Sequence, residues 1–562
     1  MLLALGAPCI MTASMESHCL PFREIPHTSR LFSAFLDDFS TVSSYFAHPP
    51  TAAGLDASAR EVRLDPATRR SIVEILRDQN RAFGPGGQAD SATARNLDRL
   101  AAGAVAIVTG QQVGLFSGPA FTFYKALTAV RCAEDATKRG VDAVPVFWFA
   151  TEDHDLAEIN HSSWSTRAGL ARHELAGPSE AEGRRVGEVV LGDGIGAVVG
   201  AAAATLEGEF AAEVSRALHE SYTPRDTYGS AFGKLMARLL AGRGIIFLDQ
   251  LDARLHKLFA PVFKQAAQKA GLLRDALLSR SKELEGAGFH SQVKVTNETT
   301  LLFWSASGRR EPVRIRNGGF AVGESAVSAD RLLGAIDSHP EAFSPSALLR
   351  PVIQDTLLPT AAYVGGAAEI AYFAQSQVVY RTCGVRMPAT LPRASFTVVE
   401  APIARFLAQY GLDLRDLLAG RQHLRAKMEQ KSLPDALTNR FEAGEAELSR
   451  LVKSFEEPLA KLDSTLVESL RTAEAKMLHQ FTQLKAKVAR AENFRSGVLD
   501  RHERILTESL APHGELQERT LCLLPLLASS GPGLLDELTA LSSVAGAEAR
   551  HSCAVEHQIV SL

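Results

Sequence analysis

Three short runs of the chain, AVAIVTG (104–110), VPVFWFAT (144–151) and GIIFLDQ (244–250), are apolar almost without interruption. A strand wetted on one face alternates apolar with polar residues. A strand apolar on both faces must be covered on both, as in a parallel sheet sandwiched by helices. Between the runs lie PAFTFYKALTAVRCAEDATKRG (119–140) and AFGKLMARLLAGRG (231–244), both helical in character. This alternation predicts an α/β fold with a Rossmann-like parallel sheet core. LRPVIQD (349–355), TAAYVGG (360–366) and MPATLPRASFTVVE (387–400) complete the core runs.

Two segments interrupt the alternation and read as inserted connective segments. The first, 162–200, is polar with β character; the second, 285–345, holds short antiparallel strands. The core is thus expected over 21–161 and 201–284, with its final strands over 346–400. Residues 30–100 are helical and polar, ATRRSIVEILRDQNRAFG ending on Gly84. From 401 to 510 strand signals vanish and a helical coiled-coil domain is expected. Residues 511–562 are expected to pack on the core as a tail. Residues 1–20 are expected to be a disordered leader. Without a basic n-region, MLLALGAPCIMTASMESHCL does not read as a secretory signal, and Met11 and Met15 are alternative starts.

In the coiled-coil segment, Leu459, Leu462, Leu466, Leu470, Ala473, Met477, Phe481, Leu484 and Val488 repeat at steps of three and four. Pro458 suits a first helical turn. One helix from 458 to 508 would be roughly 75 Å long. Its apolar seam requires a partner: another helix of the chain over 436–456, a second subunit, or the chain's own core.

The net charge of −4 gives no basic field for nucleic acid, and no run of 18 apolar residues spans a membrane. The six cysteines, Cys9, Cys19, Cys132, Cys383, Cys522 and Cys553, form no C-x-x-C pair. That fits a reducing cytoplasm and argues against a disulfide framework or a structural zinc.

Chemistry-bearing residues collect where strands end. After 104–110 comes GQQVGLFSG, with Thr109, Gly110, Gln111, Gln112, Gly114 and Gly118, then Pro119 and a helix carrying Thr122 and Lys125. A glycine-bearing turn opening a helix attracts phosphate or carboxylate, and Lys125 adds a cation. The bland reading is a packed turn with Lys125 solvated. FWFATEDHDLAEINH (147–161) empties a buried strand into Glu152, Asp153, His154 and Asp155, with Asn160 and His161 beyond. These suit Mg²⁺, a bound ammonium or a general base; alternatively, the acids merely open a helix. IQDTLLPTAAYVGGAAEIAYFAQ (353–375) repeats strand, glycine and helix, with Gly365, Gly366, Glu369 and Tyr372, and Arg393 follows in LPRASF. Asp249 and Gln250 end another strand. Arg309, Arg310, Arg314 and Arg316 read by default as a solvated face.

Taken together, VTGQQVGLFSGPAFTFYK, FWFATEDHDLAEINH, RPVIQDTLLPTAAYVGGAAEIAYFAQ and MPATLPRASF resemble the bacillithiol biosynthesis cysteine-adding enzymes, the cysteine ligase family. The resemblance runs in order over 105–400 and extends to the helical tail. It implies a core akin to class I nucleotidylyl transferases, two connective insertions and a coiled coil that pairs two subunits. It further implies the last step of bacillithiol synthesis, in which L-cysteine is joined through its carboxyl to the amine of glucosaminyl malate. Family members often carry His-Lys where this chain has Tyr124-Lys125.

The leading expectation is therefore a cytoplasmic, homodimeric, amide-forming ligase using ATP, with Mg²⁺ as a further candidate and no metal site assigned. Lys125, Asp153, His154 and Asp155 are the expected catalytic residues. Thr109, Gly110, Gln111, Gln112, Gly118, Thr122, Glu152, Asn160, Gly365, Gly366, Glu369, Tyr372 and Arg393 are the expected substrate or nucleotide contacts. A nucleotidylyl transferase acting on another small acid, and a non-catalytic coiled-coil scaffold, are the alternatives.

Overall fold

The computed structural model describes residues 17–84, 88, 90–178, 181–305, 308–431, 435–543 and 556–562. Residues 1–16 of the expected leader, with Cys9, Met11 and Met15, lie outside the described residues, as does Cys553. The chain divides into a core unit, Met1–Thr397 with Glu518–Ile559, and a helical unit, Val398–Gln517 with Val560–Leu562.

The core unit is built on five parallel strands: β1 (Val105–Gln111), β2 (Ala143–Phe149), β3 (Ile246–Asp249), β4 (Thr360–Gly365) and β5 (Ala389–Pro392). Their order across the sheet is β5-β4-β1-β2-β3. Alternate side chains enter opposite layers. Ala106, Val108, Val144, Val146, Ile246 and Leu248 join one apolar cluster, and Val105, Ile107, Ala143, Val364 and Leu391 join the other. Both faces are thus dry, which is why the strands read as unbroken apolar runs.

LRPVIQD is not a strand. Arg350–Leu357 is a helix, with Pro351 in its first turn and Val352, Ile353 and Leu357 buried. An amphipathic helix of this length offers an apolar run too short to tell its period from that of a strand. Upstream, Asp65 accepts the Thr68 N–H at 2.8 Å and caps the helix Pro66–Phe83, and Gly84 stops it at φ 112°. The first insertion carries the hairpin His161–Thr166 with Gly169–Glu174. In the second, Thr299–Trp304, Glu311–Arg316, Gly319–Val322, Ser325–Val327 and Phe343–Pro345 form a five-stranded antiparallel sheet. Cys19 is disulfide-bonded, which the cysteine spacing did not lead one to expect; Cys132, Cys383 and Cys522 are free and buried.

In the helical unit the single long helix expected from Pro458 is three: Glu456–Leu462, Leu466–Ser496 and Val498–Leu510. Asp463 breaks the first, with extended φ −161°, and its carboxylate accepts the Thr465 N–H at 2.9 Å and hydroxyl at 2.8 Å. Gly497, at φ 63°, separates the other two. The apolar period runs from Leu462 to Leu466 across the first break, so it did not register it, and it ends at Val488, short of the second. The helix Asp435–Ser454 folds back along Leu466–Ser496, Phe441 meeting Phe481 edge-on at 5.4 Å. Among the described residues no helix is long and apolar enough to cross a membrane.

Candidate active site

The chain lays down β1, β2 and β3 in one direction, then crosses back to place β4 on the other side of β1. Where an open parallel sheet reverses its order, the loops leaving the two neighbouring strands diverge and leave a crevice at their carboxyl ends. A cavity of about 300 Å³ lies there, lined by Gly110, Gln111 and Gln112 from the end of β1 and by Tyr363, Gly366, Ala367, Ala368, Glu369 and Tyr372 from β4 and its helix. Phe121 and Lys125, Trp148 and Ala150, Arg350, Arg393 and Arg519 complete it. The volume is at the lower end of ligand pockets.

At its floor is a buried ion pair. Lys125 is carried by the helix α1 (Phe121–Lys138), and its Nζ lies 2.5 Å from Glu369 Oε2, 2.8 Å from the Gly110 carbonyl and 2.8 Å from Gln111 Oε1. All three ammonium protons therefore have an acceptor. Glu369 sits in the first turn of the helix α2 (Ala367–Cys383), where it also accepts the Gly366 N–H at 2.8 Å and the Tyr363 hydroxyl at 2.6 Å. Burial pushes the Lys125 pKa down and Glu369 opposes it; the result is a net lowering. Burial pushes Glu369 up, but Lys125 and its other donors override this and hold the carboxyl below its ordinary value. Both groups are charged, and each is the other's counter-ion.

Two arginines flank the pair in different electrostatic states. Arg393 is forked onto the buried Glu518, Nη1 at 3.0 Å from Oε2 and Nη2 at 2.6 Å from Oε1. Arg350 donates to Gln354 Oε1 at 2.9 Å and to the Tyr372 hydroxyl at 3.0 Å, both neutral, and lies over the Tyr363 ring at 5.3 Å. Arg350 makes no ion pair among the described residues, though the cavity carboxylate Glu369 attracts it, so its guanidinium can meet an anion entering the cavity. Sequence reasoning missed Arg350 because LRPVIQD was grouped with the core runs. Its signal was a lone arginine before proline in a segment already singled out.

The glycine turn spends the amides of its left-handed stretch inside the protein. Phe116 (φ 54°), Ser117 (φ 77°) and Gly118 (φ 67°) all have left-handed φ. Such successive N–H groups form an anion-binding nest, but here the Tyr222 hydroxyl occupies it, accepting the Phe116 N–H at 2.9 Å and bonding Ser117 as well. The start of α1 is likewise used internally: Ala120 N–H donates to the Leu521 carbonyl at 2.7 Å and Thr122 N–H to the Pro119 carbonyl at 3.0 Å. Lys125, expected as a solvated or anion-seeking cation, is instead paired. Gly110 matters as a spacer: a Cβ there would sit 2.8 Å from the Trp148 carbonyl oxygen on β2.

Of the residues expected at a site, Gly110, Gln111, Gln112, Lys125, Gly366, Glu369, Tyr372 and Arg393 meet in this lining. Thr109, Gly118, Thr122, Glu152, Asp153, His154, Asp155, Asn160 and Gly365 are not among the lining residues. Thr109 donates to the Val364 carbonyl at 2.8 Å and ties β1 to β4. Thr122 is buried, its hydroxyl without a partner among the described residues. Asp155 caps the short helix Leu156–Ile159, accepting the Glu158 N–H at 3.2 Å. Asn160 donates to the Leu175 carbonyl at 3.2 Å. Gly365 ends β4, where a Cβ would crowd Glu369 at 3.0 Å.

The acidic cluster splits. Glu152 turns inward to His256 Nε2 at 2.7 Å, leaving Oε2 without a hydrogen-bond partner among the described residues. Asp153 accepts the Gln112 amide at 2.7 Å and the His154 N–H at 2.7 Å. Burial would raise Asp153, but these hydrogen bonds prevail and keep it well below the usual carboxylate range. Asp153 therefore acts as a fixed carboxylate orienting the cavity residue Gln112. His154 lies 3.1 Å from Arg310 Nη1. Arg310 is itself not part of a solvated run: it is packed over Phe303 at 3.7 Å and donates to Ser344 and the Pro345 carbonyl. Arg309, Arg314 and Arg316 pair with Glu182 and Glu298 at the surface. Asp249 accepts the Thr151 hydroxyl at 2.6 Å, and Gln250 the Trp148 indole at 2.8 Å. Tyr124, where the resemblance led to an expected histidine, packs edge-on against Phe396 at 5.0 Å, its buried hydroxyl without a partner among the described residues. Among the described residues no three His, Cys, Asp or Glu side chains gather to hold a metal ion.

A family model described as the N-terminal Rossmann-like domain of bacillithiol biosynthesis BshC matches residues 15–394, and one for its C-terminal coiled-coil domain matches 396–553. A protein of Koribacter versatilis named "Putative cysteine ligase BshC" is 38% identical over 524 residues, covering 93% of this chain and 97% of its own. Proteins of the same name from Solibacter usitatus (36% identical; 92% and 96% covered) and Salinibacter ruber (32%; 90% and 93%) are similar throughout. With both domain models matched in order and relatives aligned along nearly their whole length, the chain belongs to the bacillithiol biosynthesis BshC family.

Proposed function

We propose that this protein is a ligase joining L-cysteine, through its carboxyl group, to the amine of glucosaminyl malate, the last step of bacillithiol synthesis, with ATP activating the carboxylate. The relatives' shared name supports the cysteine ligase reading. The observation that carries it is Arg350, a cation in the switch-point cavity that donates to the neutral Gln354 and Tyr372 side chains. Such a fork suits a carboxylate or phosphate.

In this reading Arg350 anchors the anionic end of a substrate. Glu369 accepts from Lys125, Tyr363 and Gly366, which leaves one of its roughly four lone-pair directions for a substrate ammonium. Lys125 holds Glu369 ionised and in place. Gln112, fixed by Asp153, orients a polar group. The amine nitrogen attacks the activated carbonyl carbon, the C–O bond to the phosphorus-bearing leaving group breaks, and the nitrogen releases a proton. The N–H groups of Phe116, Gly118, Ala120 and Thr122 are engaged internally, so phosphate recognition is assigned to arginine side chains.

We place the protein in the cytoplasm as a homodimer paired through the helical unit. Leu451, Phe455 and Leu462 are half or more exposed there, an apolar surface that a second copy would cover. The test of function is incubation of the purified chain with ATP, L-cysteine and glucosaminyl malate, read by mass spectrometry. Amide product that falls at least about tenfold in Arg350→Ala is expected. Undiminished product in that variant sinks the assignment. Sedimentation of the parent and of Phe455→Asp tests the dimer.

A further inference from the structure

Arg393 reaches the cavity, yet its guanidinium is controlled from the opposite end of the sequence. Its partner Glu518 is buried and accepts four hydrogen bonds: two from Arg393, one from the Phe396 N–H at 3.0 Å and one from the Ser395 hydroxyl at 2.8 Å. Ser395 Oγ also lies 2.7 Å from His557 Nδ1, and His557 Nε2 lies 2.8 Å from the Thr397 hydroxyl. His557 is fully buried and stands edge-on to Phe22 at 6.4 Å.

The direction of every bond in this chain follows from proton counting. Glu518, held ionised by Arg393, is an acceptor only. The single Ser395 proton therefore goes to Glu518, leaving Ser395 only lone pairs for the imidazole. His557 must then carry its proton on Nδ1 and donate to Ser395. Nε2 is left as an acceptor, and the Thr397 hydroxyl donates to it. Burial pushes the His557 pKa down to about 4, consistent with a neutral ring. The result is a one-way relay, Thr397 to His557 to Ser395 to Glu518, with Glu518 clamping Arg393.

We propose that His557 is a positioning residue of the cavity, its Nδ1–H fixing Ser395 and Glu518 and thereby the Arg393 guanidinium that faces substrate. The proposal rests on the cavity being the substrate site. Nothing in the sequence motifs pointed to His557, which lies more than 160 residues beyond the last of them.

The test uses the full chain in parent, His557→Gln and His557→Asn forms. An asparagine amide nitrogen falls where Nδ1 was and keeps the donor to Ser395; glutamine reaches the Nε2 position and loses it. Circular dichroism confirms that each variant is folded. In chain labelled with ¹⁵N-arginine and ¹⁵N-histidine, the parent is expected to show His557 protonated on Nδ1 and slow rotation of the Arg393 guanidinium. His557→Gln is expected to speed that rotation and raise KM for one substrate about fivefold with kcat within about twofold, and His557→Asn to restore both. Unchanged guanidinium rotation in His557→Gln, or an Nε2-protonated parent, overturns the proposal whatever the activity. Faster rotation with unchanged KM instead upholds the positioning role and removes the cavity from substrate binding.

Discussion

Glu369→Gln tests the ion pair at the cavity floor. At 2.5 Å the Lys125–Glu369 attraction is about 7 kcal/mol at an effective dielectric constant of about 20, most of it offset by the cost of drying both charges. Glutamine keeps an oxygen for the Gly366 N–H but removes the charge. The Lys125 ammonium then remains buried with neutral acceptors alone: that oxygen, the Gly110 carbonyl and Gln111. Breaking one side of such a pair costs about 3–5 kcal/mol. Spread over a core unit of roughly 440 residues, that lowers Tm by about 3–5 °C. Lys125→Met together with Glu369→Gln removes both charges and is expected within about 1–2 kcal/mol of the parent. The sign with pH is fixed. Burial already lowers Lys125, and loss of Glu369 lowers it further, so the variant's lysine neutralises at a pH where the parent's is still charged. In that window the variant's unfolded state binds more protons than its folded state, and the penalty shrinks as pH rises. Calorimetry of the core transition across pH 7 to 10 reads this. A single-variant loss below about 1 kcal/mol, a double variant worse than either single, or a penalty growing with pH would refute the reasoning.

Arg350→Lys keeps the charge and loses the fork, so KM for the anionic substrate is expected to rise about tenfold with kcat less affected, read by steady-state kinetics. Tyr222→Phe leaves the Phe116 and Ser117 N–H groups without their acceptor and should cost about 1–3 kcal/mol in thermal unfolding. Gly110→Ala drives a methyl against the Trp148 carbonyl and should cost more than about 1 kcal/mol, with loss of native near-ultraviolet signal as the check. His557 folds with its pKa near 4 against about 6.5 when unfolded, so the parent gains about 3 kcal/mol as pH rises through that interval and loses it as pH falls; His557→Asn should lack this slope in unfolding titrations.

The central sheet was legible because its strands are dry on both faces, and Val105–Gln111, Ala143–Phe149 and Thr360–Gly365 fall where unbroken apolar runs stand. The same property hid the helix Arg350–Leu357, whose buried Val352 and Ile353 mimic a strand fragment, and with it the cation Arg350. Glycines marked the turns correctly but not their occupancy: the ligand of the Phe116–Ser117 nest is a tyrosine from a distant helix end, invisible to local pattern. EDHD read as one cluster because four polar residues are adjacent. Folded, Glu152 points inward to His256, Asp153 faces Gln112 and Asp155 caps a helix, each recruited by a partner that spacing does not reveal. The coiled-coil period likewise carried no trace of the break at Asp463, since the apolar repeat continues from Leu462 to Leu466 across a short extended link, and it ends before Gly497.

The glycine turn draws its fastenings from late in translation. Tyr222 fills its nest, while Cys522 reaches the Phe116 carbonyl and Leu521 receives the Ala120 amide. A nascent chain whose ribosome has passed only residue 400 has the parallel strands in hand and lacks two of the three latches. The mouth of β1 is therefore among the last features to mature, and a polypeptide cut short between residues 400 and 521 emerges with its central sheet made and its crevice unfinished.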